Sequence, residues 1–458
     1  MIFIGKTIFD ILFMEFCGLL YLINKKIYSK FIHAYQKRKF NNIVKYAYNN
    51  STFYQKKFLE KGINLEKIEK LNIEDFPVTS KRDFIKNISN IYTDKYVSNE
   101  EVMKFIHDEN NSKLRFKENY ICFTTSGSLG EKLPIIIHFK DFLTFILTMF
   151  YYNSKPLKFI LGLKTKVAIL GMTQGRSAAV TLIKNLSKKI YTTKEISIIL
   201  PLNEIINELN NFMPDQVVSY PGVFLSLIEE KKLGRLKIKP KKIILSGEVL
   251  TDENYQKIQL VFDCEVVNSY GASECFAIAI KNSSYKDYRT FMNMCLIEIL
   301  DINDKPVKNG ELGKVVITNL YNFGQPFIRY DIGDSAIKYE DKYGNLQFKG
   351  VSGRNYKPII FTNNDGKKEQ IFHWSFYSLV IYSEGLIKTQ LLVGEDCFKL
   401  KLVGNDTSII ECKQKFEKIL ADLNFEKSVK MIVEKVEDIL PEKNGKIPFI
   451  KFEQNLLI

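Results

Sequence analysis

Between Tyr120 and Val267, short apolar runs rich in Ile and Val alternate with segments of helical spacing; nothing else in this sequence limits the fold so sharply. The runs are Pro134–Phe139, Lys166–Gly171, Glu195–Leu200, Gln216–Tyr220, Lys242–Leu245 and Glu265–Val267. Strands separated by helices predict a parallel or mixed α/β body, because a parallel pair needs a connection long enough to hold a helix. Past Thr290 the pattern shortens to Leu296–Leu300, Lys314–Asn319, Ser335–Tyr339 and Leu346–Phe348. Turn signals at Asn309-Gly310, Tyr343-Gly344-Asn345 and Asp365-Gly366 separate short strands there, which predicts a β-rich subdomain.

Upstream, residues 31–59 read as helices with Ile43, Val44, Tyr46 and Ala47 on one face, and Pro77 marks a turn before a second helix at Lys81–Ile91. From about Asn355 to Ile458 a separate strand and helix pattern, including Glu411–Leu423, is long enough for a small α+β lid. The expected division is a large domain over residues 1–353 and a mobile lid over 354–458. A chain of 458 residues also exceeds what one core usually supports, roughly 250–300 residues.

Composition removes several classes. With 45% hydrophobic and 13% aromatic residues the chain buries a core and is not a disordered polymer. The longest apolar stretches, Phe142–Tyr152 and Leu133–Phe139, fall short of the ~20 residues a spanning helix needs. The net charge of +14 is spread evenly, without a run of five or six basic residues. It reads as solvated surface first and as affinity for phosphate-bearing ligands second, with no nucleic-acid module signature. Seven cysteines (Cys17, Cys122, Cys264, Cys275, Cys295, Cys397 and Cys412) form no C-x-x-C pair, as expected of reduced thiols in a cytoplasmic protein. The four histidines are scattered, so no zinc site is expected. Met1–Asn24 is apolar but broken by Lys6, Asp10 and Glu15; it reads as an amphipathic helix docked on the protein's own body, with peripheral membrane contact as the second reading.

The chemistry sits in polar segments next to the strands. Thr124-Thr125-Ser126-Gly127-Ser128-Leu129-Gly130-Glu131-Lys132 offers hydroxyls and backbone N–H groups on a glycine-containing turn, which suits a polyphosphate, yet it lacks Walker A spacing. Ser246-Gly247-Glu248 and Asn268-Ser269-Tyr270-Gly271-Ala272-Ser273-Glu274 each read as a loop after a strand, where open α/β sheets bind ligands. Then come Gln325-Pro326-Phe327-Ile328-Arg329-Tyr330-Asp331-Ile332-Gly333-Asp334, Gly353-Arg354, and Pro441-Glu442-Lys443-Asn444-Gly445-Lys446.

In this order the segments resemble the adenylate-forming (acyl/aryl-coenzyme A synthetase) superfamily, and within it the phenylacetate–coenzyme A ligase and CapK-type capsule-biosynthesis branch. Tyr46-Ala47-Tyr48, Phe53-Tyr54 and Ser219-Tyr220-Pro221 also resemble that branch. The resemblance implies an AMP-forming ligase using ATP and Mg²⁺. Thr125, Ser126, Gly127 and Ser128 would hold the ATP phosphates with Lys132 nearby; Gly247, Glu248, Asn268, Tyr270 and Gly271 would form the adenine pocket. Glu274 would bind Mg²⁺, Asp334 would accept the ribose hydroxyls, Arg354 would contact ribose or phosphate at the hinge, and Lys446 would reach the substrate carboxylate and α-phosphate. The lid would rotate between half-reactions, because Lys446 would obstruct the incoming acceptor.

Departures from the pattern bear on the phosphate loop and on the acceptor. Lys132 stands where a proline is common and Leu129 where a second hydroxyl is frequent; the missing hydroxyl would weaken the grip on phosphate and Lys132 would add charge to it. No acidic pair follows Gly353-Arg354, and the phenylacetate-type signature after that hinge is absent, which favours the CapK side and leaves two acceptors open, the thiol of coenzyme A or an amine. A role in cell-surface polysaccharide assembly rests on family analogy alone. Two rival readings stand beside this one: a homologue that binds nucleotide without catalysis, and a nucleotidyl transferase that leaves AMP on its product.

Overall fold

Two capped helices lead into the body. In the computed structural model the described residues are 12–453, without 14–15, 18, 22, 109–113, 126–131, 154–163, 172–177, 186–187, 189, 199, 248–249, 251, 284–286, 344–345, 353–358, 372–375, 377–385 and 441–448. Asn24, in extended backbone, accepts the N–H groups of Lys26 and Ile27 and starts α1 (Lys25–Asn50); Ser51 ends that helix and caps α2 (Thr52–Leu59). A short strand β1 (Thr79–Ser80) enters α3 (Lys81–Ile91) through a Ser80/Asp83 capping box, and a Ser98/Glu101 box opens α4 (Asn99–His107). The helix expected at Lys81–Ile91 is present at those bounds. Next come an antiparallel hairpin, β2 (Tyr120–Thr124) and β3 (Pro134–His138), and α5 (Phe139–Asn153).

The strand–helix alternation follows: β4 (Thr165–Gly171), α6 (Ala178–Lys184), β5 (Tyr191–Ser197), α7 (Leu202–Phe212), β6 (Gln216–Ser219), α8 (Pro221–Lys232), β7 (Lys242–Ser246), α9 (Asp252–Phe262) and β8 (Glu265–Ala272). These five strands lie in the order β5-β4-β6-β7-β8, all parallel. The order reverses beside β4, so the carboxyl ends of β4 and β6 flank the point where such sheets open a crevice. One strand lies earlier than the apolar run Glu195–Leu200 suggests. The edge strand pairs only with β4 and tolerates Thr192, Thr193 and Lys194, while Ile198 turns into the core.

At Ser273-Glu274 the chain doubles back and the sheet continues antiparallel through β9 (Cys275–Lys281), β10 (Tyr288–Thr290), β11 (Cys295–Leu300), β12 (Leu312–Asn319), β13 (Tyr330–Glu340) and β14 (Leu346–Ser352). Twelve strands form one sheet, β11-β12-β13-β14-β10-β9-β8-β7-β6-β4-β5, with β1 pairing in parallel at the start of β13. The mixed α/β body with a β-rich part is thus borne out. Asn268–Ala272, read from sequence as loop, is strand: the ladder of β8 on β9 extends to Ala272↔Cys275.

The C-terminal part has its own core. β15 (Ile359–Thr362) and β16 (Lys368–Ile371) form a hairpin; β17 (Leu386–Val393), β18 (Cys397–Gly404), α10 (Asp406–Asp422), β19 (Lys430–Lys435) and β20 (Ile450–Phe452) follow. The sheet order is β19-β18-β17-β20, and α10 buries Cys412, Phe416 and Ile419 with Phe398 and Leu400 of the sheet. The expected boundary at 353/354 lies outside the described residues.

Candidate active site

The polar segments meet at the carboxyl edge of the sheet, and one stretch, Asn319 to Asp334, holds them together. Asn319 donates from Nδ2 to the backbone oxygen of Glu274 (2.8 Å) while its Oδ1 accepts the N–H groups of Tyr321 and Asn322. Gln325, fully buried, accepts the N–H of Ile136 (2.8 Å) and donates to the carbonyl of Pro134 (3.2 Å), so its amide pairs with the edge of β3 as a strand would. Asn322 adds a bond to the carbonyl of Ile136 (3.1 Å). The hairpin that carries the phosphate-loop candidate is therefore tied to the segment that ends in Asp334. Three buried amides cost desolvation unless every group finds a partner, and these do.

The hairpin loop is clasped at its base. Thr125 N–H donates to Leu133 O and Thr125 Oγ1 accepts Leu133 N–H, both at 3.0 Å. Its oxygen is thus engaged in closing the loop, and its hydroxyl hydrogen is what it can still offer an anion. Lys132 is half-buried beside it. Ser126, Gly127 and Ser128 lie outside the described residues.

Arg329 anchors the next link. It takes a left-handed conformation (φ 44°) in which Nε and Nη2 reach the two carboxylate oxygens of Glu298 at 2.9 and 2.8 Å. Nη1 donates to the carbonyls of Glu74 and Phe76, and the backbone oxygen of Arg329 accepts Thr79 N–H. Four acceptors around one planar cation over-determine a backbone that costs about 1–3 kcal/mol for a non-glycine residue. Tyr54 of α2 adds a second anchor: its hydroxyl donates to Pro326 O (2.9 Å) and accepts Ile328 N–H (3.0 Å). The aromatic N-terminal motif thus has a structural task.

With its start fixed, β13 presents Tyr330 and Asp334. Tyr330 donates to Glu274 Oε1 (3.2 Å), and Tyr270 donates to Asp334 Oδ2 (2.9 Å). Burial pushes the Glu274 carboxyl above the usual range; its own backbone N–H, the Lys81 ammonium and the Tyr330 hydroxyl oppose the rise, and Asp334 adds to it. Burial, then the charge of Asp334, raises Tyr270 well above an ordinary phenol, so its hydroxyl stays protonated as a donor. The Tyr270 ring meets Phe348 and Tyr288 edge-on, at 5.8 and 6.3 Å between centroids.

Two glycines are required by close approach. Gly247, at φ +85°, lies under the Tyr220 ring, where a Cβ would come within 2.9 Å of Cε1. Gly271 faces the carbonyl of Phe276 across the β8–β9 turn, leaving no room for a side chain. Asn268 is buried and its side chain bonds Tyr288. Glu248, Arg354 and Lys446 lie outside the described residues.

The structure thus gathers Thr125 and Lys132, with Gln325 clamping their hairpin, and Tyr270, Glu274 and Asp334 on one network. Sequence reading missed Asn319, Asn322 and Lys81. Lys81 opens α3 directly after β1, whose pairing with Tyr330 and Asp331 sets its cation near Glu274. Its only sequence signal was the capping pattern Ser80-x-x-Asp83. The donor set suits a Mg²⁺ ion held mainly by phosphate oxygens. Glu274 supplies a hard carboxylate oxygen, and among the described residues no group of three His, Cys, Asp or Glu forms an all-protein cage.

No protein-family model matches the chain. It is 24% identical over 358 residues to Protein CapK of Staphylococcus aureus, covering 72% of this chain and 68% of that protein. It is 26% identical over 139 residues to fumarate–(S)-2,3-diaminopropanoate ligase of Enterobacter agglomerans, covering 29% of this chain and 34% of that ligase. Among solved structures, 2-hydroxyisobutyryl-CoA ligase in complex with 2-HIB-AMP and CoA superposes with a TM-score of 0.56 at 16% identity, covering 92% of this chain and 89% of that one. The same ligase in its postadenylation state gives 0.55. The resemblance read from the motifs to the adenylate-forming superfamily and its CapK-type branch is borne out, and the fold is the one those enzymes share.

Proposed function

We propose that this protein is an AMP-forming ligase: it activates a carboxylic acid as an acyl-adenylate with MgATP and passes the acyl group to an amine or thiol. The observation that carries the reading is the Asn319–Asp334 segment, whose hydrogen bonds tie Asp334 with Tyr270, the Glu274 turn and the base of the Thr125 hairpin into one network. A carboxylate is a poor acyl donor because its oxide leaves badly; AMP is a better leaving group. Attack on the α-phosphorus brings two anions together, so cations must offset the repulsion. Bound Mg²⁺ would supply Lewis-acid charge at the phosphates. The chain's own residues do the rest. Asp334, fixed by Tyr270, accepts the ribose hydroxyls; Thr125, Ser126, Gly127, Ser128 and Lys132 hold the phosphates, joined by Lys81 from α3. Gly247, Glu248, Asn268, Tyr270 and Gly271 shape the adenine side, Arg354 acts at the hinge, and Lys446 brings its charge to the carboxylate and α-phosphate.

The division into a body (1–353) and a lid (354–458) belongs to the same reading, supported by the separate C-terminal core. Lid rotation would withdraw Lys446 for the second half-reaction. The two kinds of acceptor are represented among the relatives, by a CoA-bound ligase and by one named for fumarate and diaminopropanoate. The likeness to CapK supports a place in capsule or other cell-surface polysaccharide assembly, and seven cysteines that form no disulfide support a cytoplasmic location. Pyrophosphate release with MgATP across a panel of carboxylic acids, with and without amines or coenzyme A, tests the reading. Acid-dependent release that collapses in Lys446→Ala and Glu274→Gln is expected. Calorimetry that finds no ATP binding overturns it, and AMP retained on the product would reassign the chain as a nucleotidyl transferase.

A further inference from the structure

The start of the described chain is a helical hairpin with one face left to water. The described residues from Leu12 to Ile23 are helical, and they run back along α1 across the turn at Asn24. Ring contacts pair Phe13 with Tyr35 (4.5 Å), Phe16 with Phe31 (6.1 Å) and Tyr21 with Tyr28 (5.2 Å), the order of two antiparallel helices. The inner face docks on the body: Cys17, Ile32 and Tyr35 are buried with Met292, and Gln36 donates to Cys295 O. The outer face carries Leu12, Phe16, Leu19, Ile23, Ile27 and Phe31, all exposed, with Ile23 at the tip 72% exposed. Their spacing of three and four along the helices makes a single apolar stripe.

The charge around this stripe is largely of one sign. Residues 12–50 contain seven Lys and Arg against a single acidic residue, Glu15. Lys25, Lys26 and Lys30 are exposed within one turn of Ile23, Ile27 and Phe31. A solvated helix face ordinarily mixes both signs evenly, and single exposed apolar residues need no explanation, but a contiguous stripe bordered mainly by cations does. Among the described residues no helix is long and apolar enough to cross a membrane. We propose that this hairpin lies on an anionic lipid surface, with the Leu12–Phe31 stripe among the acyl chains and Lys25, Lys26 and Lys30 at the headgroups. Such a site goes beyond the ligase reading and does not depend on it.

The test is flotation of the full chain with two kinds of vesicle, phosphatidylcholine alone and phosphatidylcholine mixed with phosphatidylglycerol. Binding is expected only to the anionic vesicles, falling with added salt. Lys25→Glu/Lys26→Glu/Lys30→Glu should weaken it by more than about fivefold per lysine, since each contributes attraction near the surface. Ile23→Asp/Ile27→Asp should abolish it, with an unchanged thermal melt showing that these exposed sites leave the fold intact. No binding to anionic vesicles, or binding unchanged in both variants, overturns the proposal. So does a dimer in light scattering that Ile23→Asp/Ile27→Asp disperses, which would identify a second copy as the occupant.

Discussion

Tyr270 on β8 and Asp334 on β13 are 64 residues apart in sequence and separated by three strands in the sheet, yet the phenol donates to the carboxylate at 2.9 Å. The antiparallel half of the sheet must curl for them to meet. A carboxylate that accepts two ribose hydroxyls needs a fixed orientation, which the phenol supplies. Tyr270→Phe is expected to raise KM for ATP by about tenfold, the value of a hydrogen bond to a charged group, with kcat little changed. Steady-state pyrophosphate release measures it.

Glu274 sits in a region that disfavours its own charge. A carboxyl whose folded pKa is raised stabilises the fold least once the pH has climbed from its usual 4.5 through that raised value. Glu274→Gln removes this loss, so the variant's Tm should exceed that of the wild type increasingly as pH rises. Pyrophosphate release should fall by at least about a hundredfold at the same time. Melting curves and the assay on one preparation check both; a variant both less stable and fully active would contradict the assignment.

The Arg329–Glu298 pair is structural, and its removal is expected to be severe. Arg329→Met leaves Glu298 and two backbone carbonyls without their donor and should cost about 3–5 kcal/mol. Arg329→Met/Glu298→Leu should recover part of this but not all, because the Glu74 and Phe76 carbonyls stay short of a donor. Denaturant midpoints of the two variants distinguish the ion pair from the carbonyl bonds.

Burial lowers His138 below 6.5, with Lys140 adding to the effect, and burial lowers His33 below 6.5 as well. The unfolded chain binds these protons more readily, so the stability each neutral imidazole contributes is complete above 6.5 and is lost as pH falls below it. Tm should therefore drop between pH 7 and 5, and His33→Gln/His138→Gln should flatten that slope.

Periodicity made the parallel body legible because fully buried strands read as continuous apolar runs, and Val167–Gly171 of β4 is such a case. The resemblance pointed to Tyr270, Glu274 and Asp334, which the structure joins through hydrogen bonds of β8 and β13. It could not show that Asn268–Ala272 is strand, since Asn, Ser and Gly carry turn signals that the ladder with β9 overrides. Asn319, Asn322 and Lys81 were invisible for a different reason. An amide clamped on a distant strand edge, or a cation delivered by β1 pairing, is a property of tertiary placement. The left-handed Arg329 has no sequence mark at all.

The clamps that fix the Pro326–Arg329 segment also set an order for making the protein. Tyr54 bonds Pro326 and Ile328, and Arg329 bonds Phe76 and Thr79, across separations of 250 residues or more. A ribosome adding about 5–20 residues per second needs roughly 12–50 s to cover that distance. Throughout that interval the aromatic faces of α2 and α3, with Phe53, Tyr54, Phe58 and Phe84, await the strands that will cover them. The nascent chain carries its stickiest surface first and its cover last, so yield in the cell should respond to translation speed and chaperone supply more than to the final stability of the fold.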